Sequence, residues 1–257
     1  MSAAGTSIVR RRVLVVFEPL SASETALAAA AGLAARLSAE LAGLFIEDVN
    51  LVRMAGLPFA QEFGRVSAMP RPIRAQDIER EFRLQAERAR RALEAAAARL
   101  QLHWSFEAVR GMGLRPVFDL ARELDLVVVG PSGRLADRPA AARPLAILFD
   151  GSDAAWRAME AGQLLAEAGG AGLIVLVAAA DRGAFEAARS QLAAWLAERR
   201  VSARCVWLRE RSAAQVCRAV LDHHAGLLLW HDSASPRDER LCTQLVAGLP
   251  CPLVLVA

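Results

Sequence analysis

The chain predicts an α/β fold: two doubly wound parallel sheets in tandem, the first lacking its last helix and strand. Three observations lead there. A frame recurs, since Val13-Leu14-Val15-Val16-Phe17-Glu18, followed by Ser23, Ala26 and Leu27, matches Leu145-Ala146-Ile147-Leu148-Phe149-Asp150, followed by Ala155, Ala158 and Met159. Each copy is an apolar run that ends on a carboxylate and is succeeded by a helix with matching apolar offsets, an internal repeat of a strand–loop–helix unit. Strand-sized runs then alternate with helix-periodic stretches along the whole chain. Several runs are apolar throughout, as strands covered on both faces of a parallel sheet must be.

The elements follow in order. Val13–Phe17 reads as a strand and Ser21–Leu37 as a helix, with Leu27, Ala30, Ala34 and Leu37 on one stripe and Ser21 or Ser23 as its cap. Leu41–Ile46 is a second strand. Residues 47–75 form a stretch that the second half lacks, holding Leu51, Met54, Leu57, Phe59 and Phe63 with Pro58, Pro70 and Pro72 as breakers. It reads as one or two short helices and an extended linker. Gln76–Leu102 is the longest helix, with Glu79 before Arg83 and Glu87 before Arg91 as acid–base pairs four residues apart. Trp104–Val109 alternates as a strand does, Arg115–Glu123 is a short helix, and Leu124–Val129 is a buried strand ending at Gly130.

A Pro- and Ala-containing linker, Leu135–Arg143, divides a first domain at 1–138 from a second at 144–257. In the second, strands are expected at Leu145–Phe149, Leu173–Val177, Cys205–Leu208, Leu227–Trp230 and Pro252–Val256. Helices are expected at Ala154–Ala168, Gly183–Arg199, Ala213–His223 and Arg237–Val246. The second half thus counts one strand more than the first.

Composition narrows the function. The chain is 54% hydrophobic and carries a formal net charge of +3, which suits a globular protein and not a disordered one. Every basic residue is Arg, and these are spread over both halves, without the concentrated basic stripe of a nucleic-acid binder. No run has the roughly 20 apolar residues a bilayer span needs, and no apolar leader precedes the first strand. Cys205, Cys217, Cys242 and Cys251 form neither a CxxC pair nor a zinc spacing, so they read as buried thiols of a cytoplasmic protein. His223, His224, His231 and Asp232 are better explained by a helix end and a strand end than by a metal. No GxSxG elbow supports a serine nucleophile.

The order of these motifs resembles the universal stress protein (UspA) family, in a tandem-domain, Rossmann-like form. Asp150-Gly151-Ser152 resembles that family's first-strand signature, Asp125–Gly133 its fourth strand and the start of its nucleotide loop, and Leu249–Val256 its closing strand. The resemblance covers roughly residues 12–257 apart from the insertion at 47–75. It implies a five-stranded parallel sheet per domain and, in those members that bind ATP, a strand-end carboxylate at the adenine–ribose end. It also implies a glycine loop whose backbone N–H groups wrap the phosphates.

Neither half carries that apparatus whole. The first has Gly130 and Gly133, but Arg143-Pro144 stands where a Gly-Ser pair belongs, and Glu18 replaces Asp. The second has Asp150, but Trp230 and Ser233 stand at the glycine positions and Thr243-Gln244 at the later pair. Asp150 suits a ligand at the carboxyl end of a strand and equally suits capping of the next helix.

The expected function is a stress-protein-like binding or regulatory module rather than an enzyme, with no cofactor. The alternative is an ATP-binding protein with weak ATPase activity, using Glu18, Gly130 and Gly133. The insertion would serve as a lid over the sheet's ligand edge, a surface for a protein partner, or two short helices that extend the core. The closing strand, left with an open edge, points to homodimerisation through that edge.

Overall fold

The computed structural model describes residues 12–18, 24–57, 61–63, 70–72, 74–113, 117, 126–130, 143–231 and 236–256. The first half supplies strands β1 (Arg12–Phe17), β2 (Glu40–Asp48), β5 (Trp104–Gly111) and β6 (Leu126–Val129) to the main sheet. The second half supplies β7 (Leu145–Phe149), β8 (Leu173–Ala178), β9 (Ala203–Leu208), β10 (Leu227–His231) and β11 (Leu253–Val256). They form one nine-stranded sheet in the order β5-β2-β1-β6-β11-β10-β7-β8-β9. All pairings are parallel except β11 with β6, which is antiparallel.

Each half therefore lays its strands down as third, second, first, fourth, and the second half adds a fifth. The α/β expectation holds, with four strands from the first half and five from the second. The two arrays are fused edge to edge, not held in separate sheets. The fusion closes the route to a homodimer foreseen through the last strand. Both edges of β11 are already taken, by β10 and by β6 (Leu253 against Val129 through Val256 against Leu126).

The helices are α1 (Glu24–Leu37), α2 (Val49–Ala55), α3 (Ala75–Leu100), α4 (Asp153–Gly169), α5 (Arg182–Glu198), α6 (Ala213–Asp222) and α7 (Pro236–Gly248). Because side chains alternate across a strand, the sheet sorts its apolar residues into two layers. Val13, Val15, Phe17, Val128, Val254, Leu229, Ile147 and Val175 pack on one face with α1, α3, α4 and α5. Leu14, Val16, Val129, Leu255, Leu228, Trp230 and Leu148 pack on the other with α6, α7 and the buried Val117. Both layers run without a break across the β6–β11 junction. The expected helix at 115–123 lies outside the described residues apart from Val117, as do the capping candidates Ser21 and Ser23.

Close packing explains particular residues. Gly43 sits where a Cβ would come within 2.8 Å of Phe106 and 2.9 Å of Leu93, so α3 settles directly onto β2. On α3 itself Glu87 accepts from Arg90 and from Arg91 and is held down to about 2 by them. Glu79, expected to pair with Arg83, meets Arg110 of β5 at 3.3 Å.

The insertion holds one short helix, as expected, with a small strand pair in what was expected to be linker. Asp48 caps α2 by accepting from the Asn50 N–H at 2.8 Å. Beyond it, β3 (Gln61–Phe63) and β4 (Pro70–Pro72) make a small antiparallel pair. Leu51 and Val52 of α2 pack against the core, as a core extension requires, whereas Met54 and Leu57 are exposed. Phe59 lies outside the described residues. Among those described, no helix is long and apolar enough to cross a membrane.

Candidate functional site

Open α/β sheets take ligands outside the carboxyl ends of strands, where the strand order reverses. Here that happens twice, between β1 and β6 and between β7 and β10. Since β6 and β11 run antiparallel, the two crevices open at opposite ends of the sheet. Glu18 and Asp150 stand one at each.

In the first crevice Val16 is level with Val129. The buried Gly130 thus comes level with Phe17, and Glu18 follows one residue further on at the tip of β1. Gly133 lies outside the described residues, as do Arg134 and Arg138. Arg143 and Pro144 lead into β7, and the Pro144 carbonyl accepts from the Gly226 N–H at 2.9 Å, which extends the β7–β10 ladder.

In the second crevice Asp150 is heavily engaged. Its Oδ1 accepts from the Ser152 N–H at 3.1 Å and from the Ser152 hydroxyl at 2.6 Å, and its Oδ2 accepts from Arg211 Nη1 at 2.7 Å. Gly151 between them has φ 83°, a left-handed turn that glycine adopts without a Cβ clash. The helix cap is Ser152, whose Oγ accepts from the Ala155 N–H at 3.1 Å. Asp150 therefore acts one step removed from the cap it was expected to provide, by orienting the capping residue. Burial pushes the Asp150 carboxyl up, but the Ser152 hydrogen bonds and the Arg211 charge outweigh it, and the net pKa is lowered.

The sheet register corrects the comparison of the two loops. Val13 is level with Leu126, and Leu145 is level with Leu227. With Val13 matched to Leu145, Val129 corresponds to Trp230, and Gly130 corresponds to His231. Trp230 is only 2% exposed and belongs to the core under α6 and α7. It does not occupy a glycine position of a phosphate loop. Ser233 lies outside the described residues. The C-cap of α6 is His223, His224 follows it with φ 52°, and His231 ends β10.

Arg211 was not singled out from the sequence. It precedes Ser212, the cap of α6, and crosses to Asp150 with its Cζ 5.8 Å from the centre of the Trp230 ring. Val109 and Leu208 occupy matched places in β5 and β9, and three residues beyond them along the chain stand Met112 and Arg211. Met112 is 49% exposed and carries no charge.

No protein-family model matches the sequence, and no curated protein matches it. Solved structures do match in fold. A universal stress protein from Archaeoglobus fulgidus superposes with TM-score 0.65 at 10% identity, covering 96% of this chain and 97% of that one. A Pseudomonas aeruginosa UCBPP-PA14 protein assigned to the universal stress proteins gives TM-score 0.56 at 13% identity, covering 96% and 93%. A protein of unknown function from Pseudomonas aeruginosa PAO1 gives 0.55 at 12%, covering 96% and 92%. The chain thus has an α/β fold shared with universal stress proteins over nearly its full length.

Proposed function

We propose that the chain is a tandem universal-stress-protein-type module, with domains 1–138 and 144–257, that works by binding or regulation and has no productive ATP site. The observation that carries this reading is the engagement of Asp150. The carboxylate that would meet a ribose already holds Ser152 and Arg211. A ribose hydroxyl would have to displace the Arg211 guanidinium, exchanging an ion pair with a cation for a hydrogen bond from an uncharged donor. Calorimetric titration of the full chain with ATP and magnesium tests the reading, and no heat is expected.

A second reading is favoured by the residues at the first crevice. Glu18 follows β1 and the buried Gly130 follows β6, so a carboxylate and a glycine stand at the tips of adjacent strands. An adenine nucleotide would sit there, at Glu18, Gly130 and Gly133, with weak hydrolysis. In that case adenine absorbance would be released when the purified protein is denatured. Heat of binding would also appear in the wild type and vanish in Gly130→Trp.

A further inference from the structure

The contents of the second crevice define what it selects. Three groups meet there: the Asp150 carboxylate, the Ser152 hydroxyl and the face of Trp230. A carboxylate beside an indole is a recognition pair for a cation, because the charge is matched on one side and the ring quadrupole attracts it on the other. The group found between them is a guanidinium, 2.7 Å from Asp150 Oδ2 and 5.8 Å from the Trp230 ring centre. It comes from the loop after β9, two strands away from β7 in the sheet. Counted from the matched Val109 and Leu208, the first half has Met112 where the second has Arg211.

We infer that the second crevice is a guanidinium seat, filled by the chain's own Arg211, which acts as a built-in plug against other cationic ligands. The inference deepens the function proposed above and rests on its reading of the strand-end crevices as the ligand positions. The two fail separately. ATP binding to the wild type would defeat the first reading, whereas the plug is tested in a chain that lacks the arginine.

The test uses full-length Arg211→Gly, with methylguanidinium as probe and methylammonium, inorganic phosphate and ATP with magnesium as comparisons at equal ionic strength. Vacating the seat should let methylguanidinium bind. At about 20 mM it should raise the melting temperature of the variant by about 1–2 °C, as expected for a ligand of roughly 10 mM affinity. Wild type should show no such rise, nor should the double variant Asp150→Asn, Arg211→Gly. A rise with phosphate or ATP instead, or none selective for methylguanidinium, would overturn the inference. Should Arg211→Gly fail to fold, nuclear magnetic resonance on the wild type decides. A seated guanidinium rotates slowly and gives resolved Arg211 Nη–H signals that disappear in Asp150→Asn. A single averaged signal means an ordinary surface ion pair.

Discussion

At Asp150 the balance of burial against partners sets a pH dependence. The carboxyl has an ordinary value of 3.8 and is lowered in the folded chain. A depressed carboxylate contributes stability that is present above the unfolded value and is lost as pH falls through the folded one. Asp150→Asn should therefore cost about 1 kcal/mol at neutral pH, a modest figure because both partners are partly solvated. The difference in urea midpoint between variant and wild type should shrink below pH 3.8. A gap that persists unchanged in acid would assign the loss to packing. The thiols behave oppositely. Burial, with a smaller contribution from nearby Cys217, pushes Cys251 up to about 12, while Cys205 and Cys217 are half-buried and raised by burial as well. Since the thiolate is the nucleophile, iodoacetamide at about pH 8 should label Cys205 and Cys217 well before Cys242 and Cys251. Mass spectrometry of timed aliquots reads the order.

Among the elements, the strand β11 matters most, because it is shared. Leu255 is 1% exposed and packs in the layer under α6 and α7, so Leu255→Ala should cost about 2–5 kcal/mol in chemical denaturation. Leu164 on α4 is 47% exposed, and Leu164→Ala should stay within about 0.5 kcal/mol. Equal losses at the two sites would contradict the layering. The main strands were legible in the sequence because a strand covered on both faces is apolar at every position, as in Leu126–Val129 and Leu253–Val256. The small pair β3–β4 was not. Its second strand begins and ends on proline, a residue that removes a ladder donor and reads as a breaker. Register was not legible either, and counting along the chain set Trp230 one residue away from its true equivalent, Val129. Asp150 was found from its place at a strand tip. Arg211 was hidden, since its partner is 61 residues away and it is one arginine among many in a chain without lysine.

At the scale of the whole molecule, the four described sheet strands of the first half and the closing strand of the second are one fact. A first half ending at β6 leaves that strand's outer edge bare, and a second half ending at β11 does the same. The sequence showed the open edge of β11, but the matching edge of β6 lay in the same chain, and the two satisfy each other. The antiparallel ladder from Leu253–Val129 to Val256–Leu126 is flanked on both faces by continuous apolar layers. Cutting the chain at the linker would strip this junction from both sides at once. An exposed apolar strand edge is a template for pairing with another chain. Fragment 144–257 retains five ordered strands and should recover by pairing β11 with a second copy, giving a dimer by light scattering. Fragment 1–138 bares the outer edge of β6 and should aggregate unless mixed with its complement, whereupon the intact ladder reforms as a one-to-one complex. The intact chain should unfold in a single transition, with fluorescence and circular dichroism coincident. Two separated transitions, or a fragment 1–138 that stays monomeric and folded alone, would mean that the shared junction contributes little and that the halves stand independently.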